Sequence, residues 1–197
     1  MRRGARCAGQ TALTIAVSHS LAVAGSASML ASPAAAGVAS EMRAPDGRVQ
    51  GRVKLIETGA GVMIKVWLKG LAPGPHGFHV YEVGRCEGDF TSAGGIYNPL
   101  GAKHGFLNDE GPMAGDLPNL IVPANGEVEV ELIGPSLTLD KDAEDSLLDQ
   151  DGAALIVHAG ADDYKSEPDG GSGASTRSCW PAKGPRSWST ISAARST

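Results

Sequence analysis

Basic and aromatic side chains are scarce in this 197-residue chain, and both shortages limit what it can do. Residues 40–197 carry 14 lysines and arginines against 22 aspartates and glutamates, a formal net charge of −8. A general binder of nucleic acid or of an anionic membrane needs a basic face, so the charge excludes both partners. Aromatic residues make up 5% of the chain and glycines number 27, which favours many turns over a helical bundle.

Long apolar runs are absent as well. No stretch of about 20 strongly apolar residues occurs, so the sequence does not predict a transmembrane helix. Residues 1–39 begin with a basic segment, continue with an uncharged and largely apolar stretch from Thr11 to Met29, and end in small residues. This order predicts a secretion signal over residues 1–39, with a membrane anchor as the alternative. A cleaved signal would make the protein periplasmic or secreted.

Hydrophobic alternation predicts short strands. Apolar and polar residues alternate over 49–55, 62–68 and 128–132, as expected of strands with one buried face. The segment 153–157 is continuously apolar, which is typical of a strand buried on both faces. Two long loops, 84–117 and 159–177, have the length that usually carries function. The pattern predicts an all-β antiparallel sandwich or barrel.

Cysteine is also scarce, which makes each one informative. Cys7 lies within the predicted signal, and only Cys86 and Cys179 remain. In an exported chain two cysteines favour a disulfide, with two separate buried thiols as the alternative. The bond would span 93 residues of sequence. The chain-entropy model gives up to about 4–5 kcal/mol of stabilisation for a loop of that length.

Four histidines follow residue 39, and their positions favour a metal site. His79 and Tyr81 stand two residues apart on a predicted strand, so both side chains face the same side. His158 ends the continuously apolar segment, while His104 and Asp116 lie in the first long loop. Nitrogen donors with a carboxylate suit zinc or copper better than calcium or magnesium. The spacing alone does not separate metal ligands from structural histidines.

Longer motifs over residues 50–179 resemble the bacterial copper/zinc superoxide dismutases. The motifs are Pro75-His76-Gly77-Phe78-His79-Val80, Ser92-Ala93-Gly94-Gly95, Asn98-Pro99, Lys103-His104-Gly105, Gly115-Asp116-Leu117-Pro118-Asn119 and Val157-His158. The resemblance implies a Greek-key β-barrel of eight strands with one disulfide within the subunit. It also implies conversion of superoxide to oxygen and hydrogen peroxide by copper beside a zinc ion, and it allows a homodimer. The expected domains are a signal at 1–39, a dismutase-like domain at 40–180 and an irregular tail at 181–197.

Transferred residue by residue, the resemblance retains four metal ligands and replaces three. The retained ligands are His79 and His158 for copper and His104 and Asp116 for zinc. The replaced positions are Tyr81 at copper, Ile96 at the histidine shared by both metals, and Met113 at zinc. A structural zinc site almost always has four protein ligands, so tight zinc binding is not expected.

Copper also keeps two of its four ligands, and both of them are histidines. Two imidazoles remain, and the phenol oxygen of Tyr81 is a poor substitute for a third because it must ionise from a pKa near 10. Ile96 and Met113 are expected to fill the former metal space as apolar core. Without the shared imidazole, the group that exchanges a proton as copper cycles in the family is also missing.

Three further positions bear on the site. Asp162 matches the carboxylate that links copper-side and zinc-side histidines, although its task is open without zinc. The family's guiding arginine lies three residues before the second cysteine, whereas here Thr176 stands there and Arg177 is displaced by one. The prolines after Cys179 argue against a final strand, which a replacement tail or a shifted reading frame would explain. The glycine-rich run 169–173 resembles a phosphate loop but lacks the strand–loop–helix context.

Three functional hypotheses follow. The leading one is an exported dismutase-family protein with a degraded metal centre, little or no dismutase activity, and partial metal binding around His79, Tyr81 and His158. The second is an active copper-only dismutase that uses the same three residues. The third is a metal-free barrel that is structural or binds a partner.

Overall fold

The computed structural model describes residues 37–173 and 176–182, which form eight β-strands. The strands are β1 (Gly37–Arg43), β2 (Val49–Thr58), β3 (Gly61–Lys69), β4 (Gly74–Tyr81), β5 (Asp116–Val122), β6 (Glu127–Gly134), β7 (Ala153–His158) and β8 (Thr176–Ala182). In this part of the chain the only helical element is the 3-10 turn Thr91–Ala93. No helix among these residues has the length and apolar character needed to cross a membrane.

The strands form one antiparallel sheet in the order β5-β4-β7-β8-β1-β2-β3-β6. The two edge strands, β5 and β6, lie next to each other, so the sheet is a nearly closed barrel. The connections from β3 to β4 and from β6 to β7 each pass over two strands, which is Greek-key topology. The prediction of an all-β, eight-stranded Greek-key barrel with long loops is confirmed.

The β2–β3 hairpin follows its alternating pattern except at one bulge. The inward residues of β3, from Val62 to Leu68, are buried as expected. The register pairs Met42 of β1 with Gly51 and pairs the next residue with Val49, so Gln50 is the extra residue of a bulge. Val49 is consequently 39% exposed, and its predicted inward position is wrong. Gln50 turns inward instead and accepts a hydrogen bond from the Ser178 hydroxyl at 2.6 Å.

Strand β7 is buried along its whole length, as its apolar run predicts. One face, including Leu155 and Val157, packs in the main core of the barrel. The other face, including Ile156, packs against Phe90 of the long β4–β5 loop and against Cys179. A disulfide between Cys86 and Cys179 ties that loop to β8, so the expected pairing is present.

The expectation of no strand after Cys179 is wrong, because β8 continues to Ala182. Trp180 and Pro181 pair with Leu155 and Ala154 of β7, and Trp180 is buried in the main core. The register with β1 includes only Cys179, so β8 has a neighbour on one side at Pro181. A strand that is an edge on one side tolerates proline there.

Strands β1 and β8 begin and end within three residues of the expected bounds of the barrel domain, 40 and 180. Strand β1 begins at Gly37, three residues ahead of the predicted start of the barrel domain at residue 40. Residues 1–36 of the predicted signal and residues 183–197 of the predicted tail lie outside the described residues. The secretion signal therefore stays a prediction.

Candidate metal centre

Three neighbouring strands bring the candidate metal ligands together. His79 lies on β4 directly opposite Asp116, the first residue of β5. His158 ends β7, which pairs with the other side of β4. His104 comes from the long loop between β4 and β5, and its ring lies 5.5 Å from that of His79. The side chains of His79 and His104 are fully buried, and His158 is 1% exposed.

Asp162 joins two of these histidines through its carboxylate. Its Oδ2 accepts a hydrogen bond from Nε2 of His79 at 2.9 Å, and its Oδ1 accepts one from Nε2 of His104 at 3.1 Å. The backbone N–H of Tyr164 donates to the same Oδ1 at 2.6 Å. Burial opposes ionisation of this carboxyl, but the hydrogen bonds from His79, Tyr164 and His104 lower its pKa. We call this arrangement the Asp162 clasp.

The loop that carries Asp162 is fixed on both sides. The Asn119 side chain on β5 donates to the Asp162 carbonyl at 2.8 Å and accepts from its N–H at 2.9 Å. Gly170 packs directly on the carboxylate, since a Cβ atom there would lie 1.6 Å from Oδ1 of Asp162. The φ angle of Gly170 is also +65°, a region that residues with a side chain rarely adopt.

His104 lies between two carboxylates. Its Nδ1 is 2.8 Å from Oδ1 of Asp116, while its Nε2 faces Asp162. A carboxylate can only accept, so both ring nitrogens carry hydrogen and the ring is an imidazolium. Burial on its own would lower the pKa of His104, but the hydrogen bonds and charges of Asp116 and Asp162 raise it to about 9. The other Asp116 oxygen accepts the backbone N–H groups of Gly105 and Met113.

His79 has one ring nitrogen without a partner. Its Nε2 donates to the Asp162 clasp, which leaves a lone pair on Nδ1. That Nδ1 is buried and has no hydrogen-bond partner among the described residues. Leaving a buried acceptor unsatisfied costs about 1–3 kcal/mol. An orphaned imidazole nitrogen of this kind is the type of donor that a metal ion uses.

His158 presents its lone pair to Tyr81. Its Nδ1 donates to the Gly173 carbonyl at 3.0 Å, so Nε2 is the acceptor and lies 3.2 Å from the Tyr81 hydroxyl. Burial lowers the pKa of His158 to about 4, which keeps the ring neutral. Burial, followed by the charge of Asp169, raises the pKa of the Tyr81 hydroxyl above its usual value of 10.

The two other replaced positions offer little to a zinc ion. Ile96 is 8% exposed, forms an isolated backbone bridge with Tyr81, and packs against Gly115 beside Asp116. Its side chain has no donor atom. Met113 is only partly buried, and its backbone bonds Asp116: its N–H donates to Oδ2 at 2.9 Å and its carbonyl accepts from the Asp116 N–H at 3.1 Å. The donor set at the family's zinc position therefore does not fit that ion in its four-ligand arrangement.

Several residues near the site were missed or undervalued by sequence reasoning. The glycine-rich run 169–173, which resembles a phosphate loop, places Gly170 on Asp162 and the Gly173 carbonyl on His158. His76 was not missed: its motif matches a histidine of the family that binds no metal, which predicts a hydrogen-bonding role in the barrel, and its ring nitrogens lie 2.7 and 2.8 Å from the carbonyls of His158 and Ala72. Arg177 is the unpaired residue of a bulge between β7 and β8, and its side chain lies outside the described part.

Comparisons with known proteins agree with this barrel. The family model described as copper/zinc superoxide dismutase (SODC) matches residues 49–179. The chain is 48% identical over 130 residues to superoxide dismutase (Cu-Zn) 2 of Aquifex aeolicus, covering 65% of this chain and 76% of that protein. It is 46% identical over 132 residues to the superoxide dismutase-like protein YojM of Bacillus subtilis, covering 66% and 67%.

A solved structure gives the same result in three dimensions. The crystal structure of a SOD-like protein from Bacillus subtilis aligns with a TM-score of 0.72 at 40% sequence identity. The alignment covers 75% of this chain and 99% of that one. Sequence and fold agree, and the chain belongs to the copper/zinc superoxide dismutase family.

Proposed function

We propose that this chain is an exported member of its family that holds a single copper ion and has little or no dismutase activity. The observation that carries the proposal is the hydrogen bonding of the His79 and His158 rings. Each ring donates one N–H to a protein acceptor, Asp162 or the Gly173 carbonyl, and so presents a lone pair on its other nitrogen. The two ring centroids lie 5.0 Å apart.

The donor set favours copper at this position. Two neutral imidazoles suit copper, and the Tyr81 hydroxyl next to His158 can add an oxygen donor. Its raised pKa makes this phenol a weak ligand, because a strong one would have to lose its proton. Bound copper would supply the one-electron chemistry that the family applies to superoxide.

Two features argue against efficient dismutation. Ile96 stands where the family has the imidazole shared between the metals, and a buried isoleucine can neither take nor return a proton. The charge of Asp169 acts on both Tyr81 and His158, so the surroundings of the copper ligands contain a negative group that repels an anion such as superoxide. Both features lower turnover without removing the two copper ligands.

Export is part of the proposal. The sequence pattern of residues 1–39 supports a secretion signal. The Cys86–Cys179 disulfide supports an oxidising compartment such as the periplasm or the exterior of the cell, where such bonds persist.

Copper titration of the purified mature protein tests the proposal, followed by elemental analysis and copper EPR. We expect one copper per chain, nitrogen hyperfine structure from two imidazoles, and no bound zinc beside the copper. If the protein dismutes superoxide rapidly with one copper ion bound, it is instead the active copper-only enzyme. Chain that takes up no copper and melts at the same temperature with and without metal would establish the metal-free barrel.

A further inference from the structure

We propose that His79, His104 and Asp116 form an alternative site for one divalent zinc ion, and that zinc and copper compete there for His79. One donor atom from each of the three residues lies within 4.8 Å of the other two, and all three side chains are buried. The inference rests on the proposed function only in taking His79 as a metal ligand. It differs from the family arrangement because a copper-side histidine joins the zinc-side pair.

The Asp162 clasp determines which nitrogens are offered. Because Nε2 of His79 and Nε2 of His104 both bind the Asp162 carboxylate, a metal would use the Nδ1 atom of each ring. Nδ1 of His104 becomes a donor when the zinc ion displaces its proton, which is released to solvent. Nδ1 of His79 is the orphaned buried atom. A carboxylate that holds the far nitrogen of a ligating histidine fixes ring orientation and strengthens the ligand. Here one carboxylate does so for two rings at once.

Hydrogen bonds also orient the Asp116 carboxylate for a metal ion. Backbone N–H groups of Gly105 and Met113 hold its Oδ2, which leaves Oδ1 for a ligand. That Oδ1 lies 2.8 Å from Nδ1 of His104. Zinc bonds to nitrogen and oxygen are about 2.0–2.2 Å, so neighbouring donors in a tetrahedral site lie about 3.3 Å apart. The His104–Asp116 pair therefore needs to open by only about half an ångström to hold a zinc ion.

The donor types fit zinc, and the geometry allows only one metal at a time. Two imidazoles and one carboxylate, with a fourth position left to a non-protein ligand, are a frequent zinc donor set. His79 has a single lone pair on Nδ1, so it serves either this site or the copper site with His158. Ile96 packs against Gly115 beside Asp116 and supplies no donor that could bridge two ions.

Zinc and cobalt titrations of metal-free mature protein test the inference. We expect one equivalent of Co(II), used as a spectroscopic probe for zinc, to give tetrahedral absorption bands that Zn(II) abolishes. His104→Ala and Asp116→Asn should each weaken zinc binding at least about tenfold, and Asp162→Asn should weaken it about 10–100-fold. His158→Ala should keep zinc binding while it loses the copper EPR signal. Copper-loaded protein should take up no zinc.

A measurement on the unsubstituted protein tests the inference even if some of these variants do not fold. In protein labelled with ¹⁵N-histidine, zinc should shift the Nδ1 resonances of His79 and His104 and leave those of His158 in place. The inference is overturned if copper and zinc bind together, or if zinc shifts His158 rather than His104. It is also overturned if zinc binding survives both His104→Ala and Asp116→Asn. A different result would contradict the proposed function: copper binding that does not depend on His158.

Discussion

The hydroxyl of Tyr81 lies 3.2 Å from Nε2 of His158 and donates its hydrogen there, because the other nitrogen of that ring is held by the Gly173 carbonyl. The phenol thus occupies the nitrogen that copper would use. Burial and the charge of Asp169 keep the phenol protonated, so it acts as a hydrogen-bond donor and a weak ligand. In the proposed copper site, the residue at position 81 therefore limits access to the second ligand, His158.

Replacing Tyr81 separates these two effects. Tyr81→His should tighten copper binding at least about tenfold, because a neutral imidazole replaces a protonated phenol as the third donor. Tyr81→Phe should change copper affinity much less, since it removes a weak ligand and a competitor for His158 together. Competitive titration with a chelator of known copper affinity measures both variants.

Tyr97→Phe is the matched control, because it removes a tyrosine hydroxyl that bonds the Asp145 carbonyl at 2.6 Å and not a histidine. It should leave copper binding unchanged. If Tyr81→Phe abolished copper binding, the phenol would be a principal ligand and our account of this residue would be incorrect.

The metal-free protein should lose stability in alkali through His104. Its pKa is raised in the folded state to about 9, so the stabilisation is complete below the unfolded value of 6.5 and is lost as pH rises through about 9. The full effect is at most about 3 kcal/mol. Urea unfolding of the metal-free chain at pH 6.5 and pH 9.5 measures the loss.

Asp116→Asn provides the comparison, because it removes one of the two carboxylates that raise the pKa of His104. The variant should be less stable than the parent at pH 6.5, and the difference should narrow at pH 9.5. Equal pH dependence in both proteins would show that His104 is not the titrating group.

Gly170 should prove essential to the Asp162 clasp. Gly170→Ala places a Cβ atom on the carboxylate at a φ of +65°, so it combines a collision with backbone strain. Gly171→Ala is the matched control, because φ is +67° and no atom lies within 4 Å of its Cβ. The control should cost about 1–2 kcal/mol from strain alone. Gly170→Ala should cost more and should also weaken copper binding, measured by denaturation and titration.

The barrel was predictable from the sequence, because short local patterns of apolar residues identify its central strands. Alternation over 62–68 and the apolar run 153–157 depend only on which face is buried. Strand β8 was not predictable, because the tolerance of Pro181 depends on how far the pairing of β8 with β1 extends, and that pairing includes only Cys179. The bulge at Gln50 was hidden for a similar reason: its buried hydrogen bond comes from Ser178, which is distant in sequence.

The candidate site was likewise predictable from the sequence only in part. Motif spacing places His79, His104, Asp116 and His158 near one another, and the structure brings them together. The tautomer of each ring is set by the Asp162 carboxylate and the Gly173 carbonyl, which only the folded loops position. No local pattern in the sequence shows that Tyr81 bonds to His158.

The rate of superoxide dismutation per bound copper tests the central claim most directly. The mature chain should be measured beside a variant that carries Tyr81→His, Ile96→His and Met113→His, which restores every histidine of the family's centre. A group that transfers a proton in the reaction is worth about 10²–10⁴ in rate, so we expect the parent to be at least about 100-fold slower than the variant. Equal rates per copper in the two proteins would contradict the account.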